Sequence, residues 1–203
     1  MKILVTGAYG FIGKNLVAEL KNQTYGEIFE YDKETAPALL EHYCREANFV
    51  FHLAGVNRPR EQAEYMEGNF GFTSILLDKL KKHHNTCPVM LASSIQAALD
   101  NPYGKSKKAG EDLLFKYGQE TGARVLVYRF PNVFGKWCRP NYNSAVATFC
   151  YNIVRGLPIK VNGPGVMMSV VYIDDVVREV IDAMDDNENR VGEFCEIPFV
   201  NTV

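Results

Sequence analysis

The stretch Lys2-Ile3-Leu4-Val5-Thr6-Gly7-Ala8-Tyr9-Gly10-Phe11-Ile12-Gly13 decides the fold. A short run rich in apolar and β-branched residues enters a loop with glycine at every third position, and an amphipathic stretch to Lys21 follows. That is strand, glycine loop and helix. Glycine suits a tight turn, a close approach of main chain to a pyrophosphate, and close packing of helix on strand. The helix start adds free N–H groups and the positive end of its dipole. The spacing is G-x-x-G-x-x-G rather than the commoner G-x-G-x-x-G, and glycines alone signify little. Directly after a first strand and before a helix, they predict a dinucleotide site. Gly7, Tyr9, Gly10, Phe11, Ile12 and Gly13 form the candidate phosphate loop.

Outward from this unit the same alternation continues. Strands are predicted at Lys2 to Thr6, Glu27 to Tyr31, Phe49 to Leu53, Pro88 to Ser93 and Arg124 to Tyr128. Helices are predicted at Phe11 to Lys21, Ala36 to Glu46, Glu61 to His84 and Pro102 to Glu120. Short apolar strands interleaved with helices make βαβ units. The fold class is therefore α/β, a Rossmann-type doubly wound parallel sheet buried on both faces. From Gly135 the pattern loosens, with Pro140, Gly156, Pro158, Gly163, Pro164 and Gly165 punctuating short elements. A helix is expected at Ser144 to Arg155, another after Asp174, and a strand-like end at Pro198 to Val203. Residues 1–135 read as the dinucleotide-binding domain. Residues 136–203 read as a small, partial substrate lobe forming one structural unit with it, with Trp137 and Phe149 in its core. The expectation is either a short compact protein or the front part of a longer one.

Composition narrows the function. The chain has 203 residues, 47% hydrophobic and 23% charged, with a formal net charge of −2. This suits one globular domain with a small appendage and argues against disorder, a fibre or a coiled-coil rod. No apolar run reaches the ~18 residues of a membrane span, and the apolar start is too short for a signal peptide, so a cytoplasmic protein is expected. The charge balance offers no footprint for nucleic acid and no polybasic patch for a membrane. Cys44, Cys87, Cys138, Cys150 and Cys195 include no C-x-x-C, and read as idle thiols in a reducing compartment. His83 and His84 follow two lysines and read as a solvated helix end. Asp174 and Asp175 read as a helix N-cap rather than a metal pair, so no metal site is expected.

The second strand should end at the residue that meets the adenosine ribose. Asp32 there favours the free 2′-OH of NAD, and Lys33 next to it suits the 2′-phosphate of NADP. Ser94 closes the fourth strand, and Tyr103 and Lys107 share one face of the next helix at i, i+4 spacing. A free tyrosine has a pKa of about 10. A nearby ammonium and a positive nicotinamide ring would lower it, so that Tyr103 exchanges a proton while Ser94 hydrogen-bonds a substrate carbonyl.

With these residues in place, the chain resembles the extended short-chain dehydrogenases/reductases of the nucleotide-sugar epimerase/dehydratase type. The resemblance spans essentially the whole sequence. It rests on Gly7, Gly10 and Gly13, Phe51 to Gly55, Asn69, Ser94, Tyr103 and Lys107, the run Tyr128 to Gly135, and Val171 to Val176. A narrower similarity, to reductases of capsular polysaccharide synthesis, is carried by His52 to Pro59, Ser93 to Ala97, Asp100 to Gly104, and Phe134 to Ser144. It implies Ser94, Tyr103 and Lys107 as catalytic residues. It adds Leu53, Ala54, Gly55, Asn57, Asn69 and Pro131 to the cofactor residues, and gives Ser94, Asn132, Arg139, Asn141, Tyr142 and Asn143 to the substrate. It makes His52 a strand-end residue satisfied by backbone. The implied activity is reduction of the 4-keto group of a UDP-linked 6-deoxy-amino-sugar, with NADPH slightly preferred over NADH, in a homo-oligomer. Proteins of this type carry a cupin domain that epimerises the sugar first. No cupin stands in this sequence, so that step would belong to a longer chain or a partner. A nucleotide-sugar epimerase with bound NAD, and a non-catalytic dinucleotide-binding protein, are the alternatives. A dehydratase is disfavoured because Ile95-Gln96 stands where that chemistry needs Asp-Glu.

Overall fold

The computed structural model describes residues 1–161, 165, 167–198 and 200–202. The punctuation at Gly163 and Pro164, and Phe199 and Val203 of the terminal run, lie outside the described residues. Five parallel strands form the body of the main sheet: β1 (Lys2–Thr6), β2 (Glu27–Tyr31), β3 (Phe49–His52), β4 (Val89–Ser94) and β5 (Val125–Phe130), in the order β2-β1-β3-β4-β5. The chain steps from β1 outward to β2, then crosses back over β1 to β3. The crevice for a ligand therefore opens between the carboxyl ends of β1 and β3.

The strands are buried on both faces because successive side chains alternate. Ile3 and Val5 of β1 join one core with Phe51, Met90 and Tyr128. There they meet Leu16 and Leu20 of α1 (Phe11–Asn22), and Val176 and Val180 of α7 (Ile173–Met184). Leu4 faces the other way, with Val50, Leu91 and Val127. Those pack on Leu40 of α2 (Pro37–Glu46), Leu76 and Leu80 of α4 (Phe72–Lys82), and Leu114 and Tyr117 of α5 (Pro102–Thr121). Burying each such side chain contributes about 1.5–3 kcal/mol before entropy is set against it.

Several sequence expectations are corrected. The helix expected over Glu61 to His84 is not one α-helix. It begins as α3 (Ala63–Tyr65), passes through a π-helical turn at Met66–Gly71, and continues as α4. Gly68 lies against Val56 so closely that a Cβ there would fall 2.3 Å from the Val56 side chain. The π turn also rotates Asn69 inward, where it is buried. At its end His83 is not merely solvated, since its Nε2 lies 3.0 Å from the Glu41 carboxylate. Strand β5 runs two residues past Tyr128 to Phe130, because its parallel pairing with β4 continues to Ser94.

After β5 the chain forms β6 (Asn132–Phe134), then α6 (Ala145–Val154), then β7 (Met168–Tyr172), which pairs parallel with β6. The backbone of β10 (Val200–Thr202) adds antiparallel to β7. From the same segment, α7 packs on the face of α1, and β9 (Phe194–Cys195) joins the main sheet parallel to β5, with β8 (Arg190–Val191) antiparallel beyond it. Trp137 is not a core residue: it is 56% exposed in a left-handed turn with φ +67°. α6 buries none of its residues fully, Phe149 included. Asp174 and Asp175 do not cap α7. Tyr172 stands at the cap, and both carboxylates lie in the first turn, where they favour the helix dipole. Among the described residues no helix is long and apolar enough to cross a membrane.

Candidate active site

The glycine loop sits at the switch point. Gly7 has φ +71°, and its N–H donates to the Tyr31 carbonyl at 2.8 Å. A Cβ on Gly7 would lie 2.7 Å from the Ala54 nitrogen, and one on Gly13 would lie 2.1 Å from the Gly7 carbonyl oxygen. Gly10 differs: a Cβ there would meet only the Gly7 carbonyl oxygen, at 3.2 Å. Gly7 and Gly13 thus press β1, β3 and α1 together, while Gly10 leaves space on the crevice side. The start of α1 has no side-chain cap and no acidic residue in its first turn, which suits an anion at its N–H groups. Phe11 and Ile12 pack partly on the core, and Tyr9 is half exposed.

Asp32 directly follows β2 with its carboxylate engaged. Oδ2 accepts from the Tyr9 N–H at 2.9 Å and Oδ1 from the Lys33 N–H at 2.8 Å. The residue expected to read the ribose therefore also tethers the glycine loop. Lys33 is exposed beside it.

A directed hydrogen-bond chain runs beneath the crevice. His52 is buried, with Nδ1 2.7 Å from the Thr6 hydroxyl and Nε2 2.8 Å from the Thr73 hydroxyl. Thr73 donates its proton to the Asn69 carbonyl at 2.5 Å, so Nε2–H must donate to Thr73 and Nδ1 must accept from Thr6. Thr6 in turn accepts from the Ala54 N–H at 3.3 Å. His52 is thus satisfied by two side-chain hydroxyls, not by backbone. Burial, helped by the Lys107 charge, pulls its pKa down to about 3. Asn69 fixes the loop after β3: its Nδ2 donates to the Val56 carbonyl at 3.0 Å and the Ser106 hydroxyl at 2.8 Å, and its Oδ1 accepts from the Val56 N–H at 2.9 Å. Gly55 has no room for a side chain, since a Cβ would lie 2.7 Å from Asn69 Oδ1 and 3.3 Å from Lys107 Nζ.

Helix α5 places the tyrosine and lysine. Asn101 caps it, accepting from the Gly104 N–H at 2.8 Å, and Pro102 occupies the first turn. Gly104 lies against the 3₁₀ turn at Ile95–Ala98, where a Cβ would be 2.2 Å from the Gln96 carbonyl oxygen. That contact sets Tyr103 near the end of β4, where Ser94 acts to lower the Tyr103 pKa. Lys107 Nζ donates to the Ala92 carbonyl at 2.8 Å. The expected lowering of the Tyr103 pKa draws on the ammonium and the nicotinamide ring together. Among the chain's own groups, burial raises this pKa, Ser94 offsets part of the rise, and the Lys107 ammonium is directed at Ala92. Burial in turn pulls Lys107 down to about 8, opposed by Glu111.

A cleft of about 220 Å³ opens over Tyr103, lined by Asn57, Tyr65, Gln96, Asn101, Pro102 and Asn143. Asn57 lines this cleft, where its Oδ1 accepts from the Tyr142 hydroxyl at 3.2 Å. Arg58 and Arg139 both lie over the Tyr142 ring, at 5.5 and 5.4 Å. Asn141 is exposed with φ +55°, and its N–H donates to the Thr148 hydroxyl at 2.9 Å. Pro131 is buried between β5 and β6. Asn132 is exposed and donates to the Ser169 carbonyl at 3.1 Å. Leu53 packs partly against the core. Tyr65, with its ring 5.6 Å from that of Tyr103, and the arginine at Arg58 were not singled out from sequence as site residues. No spacing pattern marks Tyr65. The Asn-Pro pair at positions 101–102 is an N-cap signature that could have marked Asn101.

A profile of the NAD dependent epimerase/dehydratase family matches residues 3–197. The chain belongs to this family. Over 185 residues it is 47% identical to the UDP-2-acetamido-2,6-beta-L-arabino-hexul-4-ose reductase of Pseudomonas aeruginosa, covering 91% of this chain and 50% of that protein. It is 29% identical to UDP-glucuronate 4-epimerase 3 of Arabidopsis thaliana, covering 94% of this chain and 56% of the relative. Among solved structures, the capsular polysaccharide assembling protein CapF from Staphylococcus aureus superposes with a TM-score of 0.88 at 42% identity, over 99% of this chain and 54% of that one. A UDP-glucuronic acid 4-epimerase from Bacillus cereus, in complex with NAD, shares the fold with a TM-score of 0.85 at 22% identity, over 99% of this chain and 80% of that one. The chain spans about half the length of the curated relatives it matches. A dinucleotide fits the residues present: Gly10 leaves space over an uncapped helix start, and Gly7 and Gly13 admit no bulk.

Two outcomes follow from this geometry. Gly10→Val should keep the fold and lose dinucleotide binding, whereas Gly13→Val should fail to fold, because its side chain would overlap the Gly7 carbonyl. Thermal unfolding with and without NADPH separates the two, and equal behaviour of both variants would refute the assignment. His52 makes the second. Its folded pKa of about 3 lies below the ordinary 6.5, so the unfolded state takes up the proton and the folded state does not. Stability should be full above pH 6.5 and fall as pH drops toward 3. Urea unfolding across that range should show a shallower pH dependence for His52→Gln than for the parent.

Proposed function

We propose that this chain is a nicotinamide-dependent reductase of a nucleotide-linked 4-keto sugar, UDP-linked and of the 6-deoxy-amino class, serving synthesis of a surface polysaccharide. The observation that carries the reading is Tyr103 lining the cleft, with Ser94 at the adjoining end of β4 and Lys107 one helical turn behind it. The 47% identity to a UDP-sugar reductase, and the likeness to CapF, support this substrate class. Segment 1–135 is read as the dinucleotide part and 136–203 as part of the substrate lobe, working as one unit. A cupin domain, on a longer chain or on a partner, and a homo-oligomeric state complete the proposal.

The nicotinamide, when bound, supplies the hydride that reaches the carbonyl carbon. The chain's own residues do the rest. Ser94 can donate to the keto oxygen and hold it over Tyr103. The Tyr103 phenol gives its proton to that oxygen as the carbonyl becomes an alcohol, and its raised pKa keeps the proton on it beforehand. Lys107, fixed on the Ala92 carbonyl, sets a positive charge behind the tyrosine and favours the phenolate that remains. Asn57, Tyr142, Asn143 and Arg139 border the mouth where the sugar and diphosphate would lie.

A thermal-shift panel with NADPH, NADH, UDP-sugars and dTDP-sugars tests cofactor and substrate class together, since a ligand of the folded state raises Tm. Tyr103→Phe removes only the hydroxyl, so NADPH should still bind while reduction slows by about 10²-fold or more. Unchanged turnover would end this mechanism.

The preference for NADPH is read at Asp32 and Lys33. Asp32→Asn removes the charge facing a 2′-phosphate yet keeps an acceptor for the Tyr9 N–H, so it should tighten NADPH. Lys33→Ala should weaken NADPH with little effect on NADH. If the unmodified protein binds NADH tenfold tighter, about 1.4 kcal/mol, the epimerase reading gains.

A further inference from the structure

Glu111 is fully buried on α5, one helical turn beyond Lys107, and the mechanism above does not use it. A buried carboxylate is costly unless paired and hydrogen-bonded. This one is both. Arg129 of β5 binds it with two parallel bonds, Nε to Oε1 at 2.9 Å and Nη2 to Oε2 at 2.6 Å. Ser93 of β4 donates to Oε1 at 2.5 Å. The other side of the guanidinium is covered by the Phe194 ring, 4.0 Å away. Lys107 meanwhile grips the Ala92 carbonyl. Two side chains one turn apart on α5 therefore clamp consecutive residues of β4, directly before Ser94.

We propose that Glu111 is a positioning residue: as the buried counter-charge on α5 it keeps Lys107 an ammonium and ties α5 to the end of β4, holding Ser94, Tyr103 and Lys107 in one arrangement. The other groups facing Lys107 cannot replace it. On its own helix Tyr103 is a neutral phenol, and from β3 His52 is neutral. The π turn brings the uncharged Asn69, and α3 brings Tyr65, which faces Tyr103. Arg129 of β5 is the remaining charge, and it is bound to Glu111.

The inference rests on the reading of Tyr103 and Lys107 as the working pair, but its test needs no substrate, so it can fail while the reductase assay succeeds, and the reverse. The protein is made with ε-¹³C lysine, and the Lys107 signal is identified by its loss in Lys107→Met. Its pH titration is then followed in the parent, Glu111→Gln and Glu111→Asp. A charge role expects the parent to titrate near 8, the aspartate to stay close to it, and the glutamine to titrate lower. A brace of shape alone expects the opposite order, because glutamine is the closer match in shape. A glutamine variant titrating with the parent overturns the proposal, as does an aspartate that shifts as far as the glutamine. Should Glu111→Gln leave Arg129 unpaired and fail to fold, Glu111→Gln combined with Arg129→Met removes both charges and carries the same expectation.

Discussion

The contact between Gly13 and the Gly7 carbonyl is the constraint on which the site depends. With no side chain at either position, the first turn of α1 rests on the end of β1, and Gly7 in turn touches Ala54 at the end of β3. Three elements from distant parts of the chain meet there, main chain against main chain. The order β2-β1-β3 puts that meeting point at the sheet's switch point, so tight packing and an open crevice are the same feature seen from two sides. Gly10, one turn from both, is the position that leaves space, which is why the loop can be rigid and still receive a ligand.

Beneath this contact the buried polar groups are joined so that each carries one defined proton. Ala54 gives to Thr6, Thr6 to His52, His52 to Thr73, and Thr73 to the Asn69 carbonyl. The chain links the ends of β1 and β3 to the π turn. Asn69 then links the turn to Ser106, whose hydroxyl donates to the Tyr103 carbonyl at 2.7 Å. The path from glycine loop to α5 is continuous, and it fixes the tautomer of His52. A buried group left without a partner in such a network costs about 1–3 kcal/mol.

The parts of the fold legible in the sequence are those where period and punctuation agree. β1, the loop and α1 could be read because five strand residues, spaced glycines and a helical pattern follow one another without interruption. The late strands could not: β8 and β9 have two residues each, too short for any alternation to register. The π turn was hidden because what accompanies it, the approach of Gly68 to Val56, is a tertiary contact. Trp137 misled for a related reason. An aromatic residue suggests core, yet a left-handed backbone turns it outward over Lys136. In the site, Ser94, Tyr103 and Lys107 could be singled out by type and spacing, but not that Lys107 grips Ala92. Asp32 was legible as a strand-end acid, and its hold on the Tyr9 N–H was not, since that bond crosses between loops.

The charges around Lys107 show how a buried ammonium is accommodated. Desolvation weakens its hold on the proton, and any further positive charge nearby would add to the penalty. His52, whose charged form would repel Lys107, is held neutral by burial and by the Lys107 charge itself, with both its nitrogens engaged by hydroxyls. Arg129 cannot be neutral, but its charge is matched by the two-bond pairing with Glu111. What Lys107 meets is therefore a carbonyl dipole at Ala92 and, from the Glu111–Arg129 pair, the carboxylate. The ammonium is kept by an arrangement that suppresses or pairs every competitor. That arrangement is distributed over β3, β4, β5 and α5, so the packing that builds the sheet also sets the protonation around Lys107.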